Sequence, residues 1–408
     1  MIRKTISLGL VAVVFAACAG DTPPALSVAL EAIASPAGEG SGEPFLSSSG
    51  DDVYMSWLEA SPEGGHDFRF ARFDGAGWGE ASTIATSERF FVNWADFPSV
   101  TPGPDGTLWA HWLQRGAAGG YDYGVRIVRS SDGGATWSEP WTPHEDGTPT
   151  EHGFVSAMPL ESGMGFLWLD GRNYVEGPDG SEPTHEMTLR YREVALDGTV
   201  GTETLLDARI CDCCQTDGAM ASSGPVAVYR NRTEDEIRDI YITRRVGGSW
   251  TDGVPVFSDG WEIGGCPVNG PAVVAKGSEV AVAWFTGAGG VPHVKVAFSS
   301  DGGATFGPPT LVDGGNPAGR VDLLMRDGGS VFVSWLERTG GEAAEVRLRE
   351  VHADGRVTES VTLTGSSSER ASGFPRMVEA RDGTLLLAWT DVIGDAPQVR
   401  VTRLKFER

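Results

Sequence analysis

Short apolar runs that end in an aromatic residue, with polar residues directly after it, recur along the whole chain. Two examples are Met55-Ser56-Trp57-Leu58-Glu59 and Ser334-Trp335-Leu336-Glu337. The aromatic residues fall at positions 57, 112, 168, 229, 284, 335 and 389, so that successive copies lie 51 to 61 residues apart. Self-similarity at such a period is typical of proteins that repeat one supersecondary element. The pattern therefore predicts seven copies of one unit.

Each unit contains four extended segments in a constant order. The first begins near a Pro or Gly, as at Phe97-Pro98-Ser99-Val100, and the aromatic segment follows it. A third segment, a glycine-containing turn and a fourth segment complete the unit. The 56 glycines and 24 prolines leave little room for a helical period. We therefore predict an all-β fold: a single β-propeller of four-stranded antiparallel blades, with seven blades favoured and six as the alternative.

The two ends of the chain complement each other in this scheme. The seventh unit ends at Lys405-Phe406, after its third strand, and lacks a fourth. The strand-like segment 26–33 belongs to no unit. If it supplies the missing strand, the ring closes and no sheet edge is left exposed. We therefore expect one propeller domain over residues 25–408, whose last blade is completed by the N-terminal strand.

An eight-residue segment occurs twice, as Ser130-Ser131-Asp132-Gly133-Gly134-Ala135-Thr136-Trp137 and as Ser299-Ser300-Asp301-Gly302-Gly303-Ala304-Thr305-Phe306. In each copy the Asp can accept hydrogen bonds from backbone N–H groups, and the glycines can adopt positive φ, so both copies are predicted to form turns. The pattern S-x-D-x-G-x-x-[WF] resembles the Asp-box, or BNR repeat, of the sialidase (neuraminidase) superfamily of β-propellers.

Residues 1–17 read as a targeting segment, with Arg3 and Lys4 ahead of an apolar stretch that is too short to span a bilayer as a mature helix. The stretch runs into Phe15-Ala16-Ala17-Cys18, which resembles a bacterial lipobox. This resemblance implies a lipid on Cys18, a short tether over residues 18–24, and a place in the bacterial cell envelope, at the outer membrane. The alternative is an ordinary cleaved signal followed by an incidental Cys.

The charge of the chain limits its partners. Without the leader's Arg3 and Lys4, 30 basic residues stand against 56 acidic ones. Such an excess keeps a protein soluble and repels nucleic acid. We expect a monomer that binds no nucleic acid and meets the membrane only through the lipid on Cys18.

Charged side chains are predicted to converge at one mouth of the central channel. In a propeller, the loops that lead into first strands and those that leave second strands open on the same face. These loops carry Asp96, His152, Asp170, Arg172, Arg230 and Arg320. Arginines that face carboxylates in one funnel favour a small anionic ligand. Alternatively, the ions pair with one another and close the channel. By its position His152 is a candidate acid or base, although a lone His at a strand start can also be structural.

The resemblance to sialidases implies a division of roles among these residues. Members of that superfamily hold a sialic carboxylate with three Arg, and Arg172, Arg230 and Arg320 match that role. The resemblance further implies Asp96 or Asp170 as the acid and Tyr241, on a third strand, as the nucleophile. It thus implies an exo-acting glycoside hydrolase whose partner is a sialic-acid-type or other anionic glycan.

Four cysteines form a second candidate site. Cys211, Cys213 and Cys214 precede the fourth unit and Cys266 precedes the fifth, so neighbouring blades should bring them together. In an exported protein we favour disulfides, one of them to Cys266. The alternative is a thiolate site for Cu(I) or Zn²⁺; apart from these metals no cofactor is indicated. The chain resembles bacterial Asp-box lipoproteins that share the C-x-C-C and Gly-Cys-Pro-Val-Asn-Gly-Pro stretches.

Three function classes follow: a sialidase-like hydrolase, a metal-binding or redox lipoprotein, and a propeller that binds a glycan or protein without catalysis. Of these we favour the hydrolase.

Overall fold

The computed structural model describes residues 25–176, 180, 182–392 and 396–406. Within these residues the chain forms seven antiparallel sheets, one for each sequence unit, arranged as the blades of a propeller. Three single-turn 3₁₀ helices lie in the loops, at Arg172–Tyr174, Ala288–Gly290 and Arg370–Ser372. The predicted seven-bladed fold is confirmed. The targeting segment and Cys18 lie outside the described residues.

The strands follow the predicted order. Blade 1 contains β2 (Ser41–Ser49), β3 (Asp52–Ala60), β4 (His66–Phe73) and β5 (Ser82–Ser87). Blade 2 contains β6 (Ser99–Pro102), β7 (Leu108–Arg115) and β8 (Tyr123–Ser130). Blade 3 contains β9 (His152–Leu160), β10 (Gly163–Asp170), β11 (Met187–Ala195) and β12 (Thr204–Ile210). In blade 2 an isolated bridge between Ile127 and Trp141 takes the place of the fourth strand.

Blade 4 contains β13 (Asp217–Ala221), β14 (Gly224–Arg230), β15 (Ile240–Val246), β16 (Ser249–Trp250) and β17 (Val254–Pro255). Blade 5 contains β18 (Ala272–Lys276), β19 (Glu279–Thr286), β20 (His293–Ser299) and β21 (Thr310–Leu311). Blade 6 contains β22 (Pro317–Met325), β23 (Val331–Gly340), β24 (Ala343–Val351) and β25 (Val361–Ser367). Blade 7 contains β26 (Arg376–Glu379), β27 (Leu385–Asp391) and β28 (Gln398–Phe406), completed by β1 (Val28–Ile33).

The ring is closed by strands from opposite ends of the chain. β1 pairs antiparallel with β28, with Val28 opposite Phe406 and Ile33 opposite Val401. The predicted role of the N-terminal strand is confirmed. Because β1 occupies the hydrogen-bonding edge of β28, the last blade has its fourth strand and that edge is covered.

The aromatic residue that marks each unit lies on the second strand of its blade. Trp57, Trp168 and Trp335 are fully buried, and each indole N–H donates to a carboxylate two residues further along the strand. The acceptors are Glu59 (2.8 Å), Asp170 (2.9 Å) and Glu337 (2.6 Å). A buried indole N–H needs such a partner. The polar residue behind the aromatic therefore supports the blade.

The two octapeptides form matching turns. Asp132 Oδ1 accepts the backbone N–H of Thr136 at 2.9 Å and Oδ2 accepts its hydroxyl at 2.6 Å; Asp301 and Thr305 repeat both distances. Gly133 has a φ of 72°, in the region that favours glycine. The predicted turn chemistry is confirmed.

Candidate functional site

A polar cavity of about 140 Å³ lies where the inner strands of six blades meet. Its lining includes three carboxylates, Asp96, Asp217 and Asp322, together with His111 and Arg376. A cavity of this volume could hold a molecule about as large as benzene. Asp96, which the repeat predicted at the mouth of the channel, is buried in the lining of this cavity.

Each of these carboxylates joins its own blade to the next one. The oxygen acceptors and backbone N–H donors are Asp96 with Phe154 (2.6 Å), Asp217 with Val273 (2.8 Å) and Asp322 with Met377 (2.6 Å). Asp96 also accepts the hydroxyl of Tyr123 at 3.2 Å. Burial raises the pKa of Asp96 to about 7 and that of Asp217 to about 6. Asp96 therefore has a structural role, because its carboxylate connects blade 2 to blade 3.

His152 and Asp170 lie together, but within a closed ionic network. The Nε2 atom of His152 is 3.1 Å from Asp146 Oδ1 and 3.7 Å from Asp170 Oδ2, and all three side chains are nearly inaccessible. Asp170 pairs with Arg172 through two bonds of 2.7 Å. Burial alone would lower the pKa of His152, but its hydrogen bond to Asp146 and the charge of Asp170 raise that pKa above its usual value. Here the ions pair among themselves, as the alternative predicted.

The remaining predicted ligand arginines are also engaged by the protein. The guanidinium of Arg230 donates to the carbonyls of Arg238 (2.6 Å), Asn269 (2.8 Å) and Phe285 (2.7 Å), and its face lies 4.9 Å from the Trp261 ring. Arg230 is 2% exposed. It therefore links blade 4 to blade 5, and its guanidinium nitrogens are engaged by backbone carbonyls and not directed at a ligand.

Arg320 repeats this arrangement between blades 6 and 7. Its guanidinium donates to the carbonyls of Gly373 (2.9 Å) and Glu369 (2.8 Å) and lies 4.9 Å from the Trp94 ring. Burial lowers the pKa of Arg320 to about 10. The guanidinium groups of Arg172, Arg230 and Arg320 thus donate to three separate sets of acceptors.

Tyr241 lies apart from the acidic residues. It is on β15, with its ring centre 6.2 Å from that of Tyr229, and it packs partly buried against the apolar cluster between blades 3 and 4. The structure therefore brings together His152, Asp170 and Arg172, but not Asp96 with the three arginines, nor Tyr241 with any of them.

The four cysteines come together where blades 3, 4 and 5 meet at the mouth. The Sγ atom of Cys211 is 3.3 Å from that of Cys214 and 3.8 Å from that of Cys213, and all four cysteines are free thiols. A disulfide requires about 2.05 Å. The favoured prediction of disulfides is therefore wrong. The short turn between β12 and β13 brings three sulfurs close together, and Cys213 also lies within 4.8 Å of Cys266 without a bond to it.

Two overlapping groups of potential metal ligands occur here. Within each group the ligand atoms all lie within 4.8 Å of one another: Cys211, Cys213 and Cys214 form one, and Asp212, Cys213 and Cys266 form the other. Cys211 and Cys214 are buried, Cys213 is half-buried and Cys266 is exposed. Hydrogen bonds from Cys213 and Cys214 hold the pKa of Cys211 well below its usual range.

Arg238 is the residue of this site that sequence reasoning missed. Its Nη1 atom is 3.3 Å from Cys211 Sγ and 3.3 Å from Asp212 Oδ1, and its Nη2 donates to Glu236 at 2.9 Å. It lies in the loop that leaves the second strand of blade 4. The only signal in the sequence was the run of charged residues from 230 to 238.

A surface pocket of about 360 Å³ lies beside the cysteines. Its lining includes Tyr121, Asp122, Glu151, Tyr174 and Asp212. Burial raises the pKa of Glu151 to about 8, and the charges of Asp212 and Asp96 act in the same direction. The pocket therefore combines a carboxyl of raised pKa with aromatic walls in acidic surroundings.

Comparisons with known proteins establish the fold. No protein-family model and no curated protein matches the chain. Among solved structures, polysaccharide lyase Uly1 is similar over 90% of this chain and 89% of its own, at 11% identity and a TM-score of 0.52. A protein of unknown function from Dyadobacter fermentans covers 93% and 99% at 14% identity and a TM-score of 0.49.

A sialidase from Trypanosoma rangeli, in complex with the inhibitor DANA, is similar over 80% of this chain and 56% of its own, at 13% identity and a TM-score of 0.49. Among the described residues, no helix is long and apolar enough to cross a bilayer. By its match to Uly1, the chain is similar in architecture to a polysaccharide lyase.

Proposed function

We propose that this propeller binds a soft metal ion, Cu(I) or Zn²⁺, at its mouth. The observation that carries the proposal is the convergence of three unbonded sulfurs, those of Cys211, Cys213 and Cys214, within 4.8 Å of one another. Two sulfurs on one ion, each about 2.3 Å from it, can be at most about 4.6 Å apart. Thiolates are the donors that Cu(I) and Zn²⁺ favour. The three sulfurs therefore match the ligand sphere of one such ion.

The surroundings of the sulfurs support an ionic centre. Three thiolates bring a charge that the buried guanidinium of Arg238 partly offsets, and its hydrogen bond to Cys211 Sγ orients that ligand. Glu236 in turn holds Arg238 at 2.9 Å. Partners that orient the ligands in this way raise metal affinity.

The test is metal binding by the full chain, purified under reducing conditions. We expect at least one equivalent of Cu(I) or Zn²⁺ by elemental analysis, and a thiolate-to-metal charge-transfer band when Co²⁺ replaces zinc. The Cys211→Ser/Cys214→Ser variant should lose that ion, whereas Met220→Leu, a change on a strand of the same blade, should keep it. Wild-type protein that binds no stoichiometric metal, or a double variant that binds it unchanged, would contradict the proposal.

A second candidate function, action on a glycan, is favoured by the surface pocket. Tyr121 is 69% exposed and Tyr174 lies in the same lining, and such rings offer stacking faces to a sugar. Glu151 is placed as a general acid. Because Asp122 and Asp212 make the pocket acidic, it suits a neutral glycan better than the sialic-acid-type ligand expected from the sequence.

Fluorogenic substrates distinguish these glycans. We expect turnover of a neutral glycoside that Glu151→Gln lowers by at least about tenfold, with little turnover of a sialoside. Turnover of the sialoside that depends on Asp170 would restore the sialidase-like hydrolase. Absence of turnover on both substrates, in protein that binds metal, would leave the thiolate centre as the function.

The cellular setting is a proposal that stands on the sequence. The lipobox-like segment before Cys18 supports an exported lipoprotein, anchored in the bacterial cell envelope. Expression with labelled palmitate should label the wild type and not Cys18→Ser. Labelling of both, or of neither, would contradict lipidation at this residue.

A further inference from the structure

One sulfur belongs to both groups of ligands at the mouth. Cys213 lies within 4.8 Å of Cys211 and Cys214 on one side, and within the same distance of Asp212 and Cys266 on the other. We infer that the centre holds two metal ions and that the thiolate of Cys213 bridges them. This inference rests on the proposed metal-binding function and adds a second ion to it.

A single ion cannot use all five ligands. A structural zinc site takes four ligands in a tetrahedron, and the geometry limits two sulfurs on one ion to about 4.6 Å. Cys266 belongs to the group around Cys213 and Asp212, not to the group of Cys211 and Cys214. A thiolate has lone pairs for two metals, so Cys213 can serve both groups.

The second group is assembled as a site in its own right. Cys266 Sγ is 3.6 Å from Asp212 Oδ1, although 54 residues separate the two in the chain. Arg238 contacts one member of each group, Cys211 and Asp212, at 3.3 Å. A carboxylate together with two sulfurs suits Zn²⁺ better than Cu(I). Each thiol that binds Zn²⁺ releases its proton to solvent and keeps the electron pair that forms the bond.

The two ions differ in access to solvent. Cys211 and Cys214 are 1% and 2% exposed, whereas Cys266 is exposed. The inner ion is therefore shielded, and the outer ion can exchange with a chelator or with a partner at the mouth. Two ions of unequal lability are the expected signature of the centre.

The experiment titrates the reduced, metal-free full chain with Zn²⁺ against a chromophoric chelator. We expect two equivalents, of which the second is removed by chelator at least about tenfold more readily. Cys266→Ser and Asp212→Asn should each lose the labile equivalent and keep the tight one. Cys213→Ser should weaken both, and metal–metal scattering in X-ray absorption should occur in the wild type only.

The outcomes separate this inference from the proposed function. One equivalent in the wild type, unchanged in Cys266→Ser, would overturn the second ion and leave the single-ion site standing. No bound Zn²⁺ in the wild type would overturn both. If Cys213→Ser fails to fold, as judged by its thermal melt, Cys266→Ser and Asp212→Asn decide, since each changes a ligand of the outer ion alone, a thiolate to a hydroxyl and a carboxylate to a neutral amide. Two retained equivalents of unchanged lability in both variants would then count against the second ion and its bridge.

Discussion

The guanidinium of Arg238 lies 3.3 Å from the sulfur of Cys211, although 27 residues separate them. Arg238 is in the loop between β14 and β15, and Cys211 is in the turn between β12 and β13, which leads into the same blade. The contact places a permanent positive charge against a sulfur that is itself buried. It links the thiol cluster to the charged loop of blade 4.

This contact predicts that Arg238→Gln weakens metal binding without unfolding the protein. Loss of the charge and of the hydrogen bond to the ligand sulfur should lower the affinity about 10- to 100-fold. The metal affinity of Arg238→Lys should lie between those of the wild type and Arg238→Gln, because lysine keeps the charge but loses the forked guanidinium. Competition with a chelator measures the effect. Arg356→Gln, at an exposed turn, is the control, and equal affinities of Arg238→Gln and the control would refute the role.

Arg230→Met should destabilise the fold, because Arg230 ties two blades together. Its removal leaves buried carbonyls of Asn269 and Phe285 unpaired, each at a cost of about 1–3 kcal/mol. Urea unfolding should show the loss, and Arg400→Met, on the half-exposed surface, should not. A normal unfolding midpoint, together with lost binding of an anionic ligand, would instead return Arg230 to the ligand role.

Asp96→Asn should change how stability depends on pH. Burial raises the pKa of Asp96 to about 7 in the folded protein, from an ordinary value of 3.8. Because the folded value is the higher one, the protonated carboxyl favours folding; this contribution is complete below about pH 4 and is lost as the pH rises through 7. The shift is worth on the order of 4 kcal/mol.

The Asn variant, which is neutral throughout, should therefore gain stability relative to the wild type between pH 5 and pH 8. Urea unfolding at pH 4, 6 and 8 measures this, with Asp51→Asn at the surface as the control. A difference between variant and wild type that does not grow with pH would mean that Asp96 is ionised at no cost in the fold.

The matching turns predict matching losses. Asp132→Ala and Asp301→Ala remove the same bonds to Thr136 and Thr305, so the fall in melting temperature should be similar for both. Metal binding should not change, because the turns lie away from the mouth. Asp354→Ala, whose carboxylate pairs with Arg356 at an exposed turn, is the control and should have a smaller effect. Unequal falls in melting temperature would show that the two turns contribute differently to stability.

Removal of β1 should open the ring. A chain that begins at residue 35 leaves the edge of β28 without the six pairings from Val28 to Ile33. An uncovered edge strand recruits other chains. We therefore expect a lower melting temperature and association in light scattering, neither of which should occur when only residues 1–24 are removed. A monomer of unchanged stability would show that the closure is dispensable.

The sequence by itself favoured seven blades over six and predicted the turns and the closing strand. Each depends on local chemistry that is repeated: an aromatic residue on the second strand of every blade, an Asp that accepts the N–H groups of its own turn, and a seventh unit that lacks one strand. The convergence of the four cysteines also followed from the repeat, because equivalent loops of neighbouring blades meet at one mouth.

The tertiary structure decided what the charged and sulfur-bearing side chains do. A guanidinium can bind a ligand, a carboxylate or a backbone carbonyl, and only the packing of neighbouring loops gave Arg230 and Arg320 their carbonyls. Arg172 pairs with Asp170 only two residues away, a local choice that the repeat pattern did not decide. Whether thiols bond or cluster depends on differences of an ångström or two between sulfurs, as at Cys211 and Cys214. The distance between Cys211 and Cys214 is set by the conformation of the turn between β12 and β13, and the approach of Cys266 by contacts between blades. A repeat pattern contains neither.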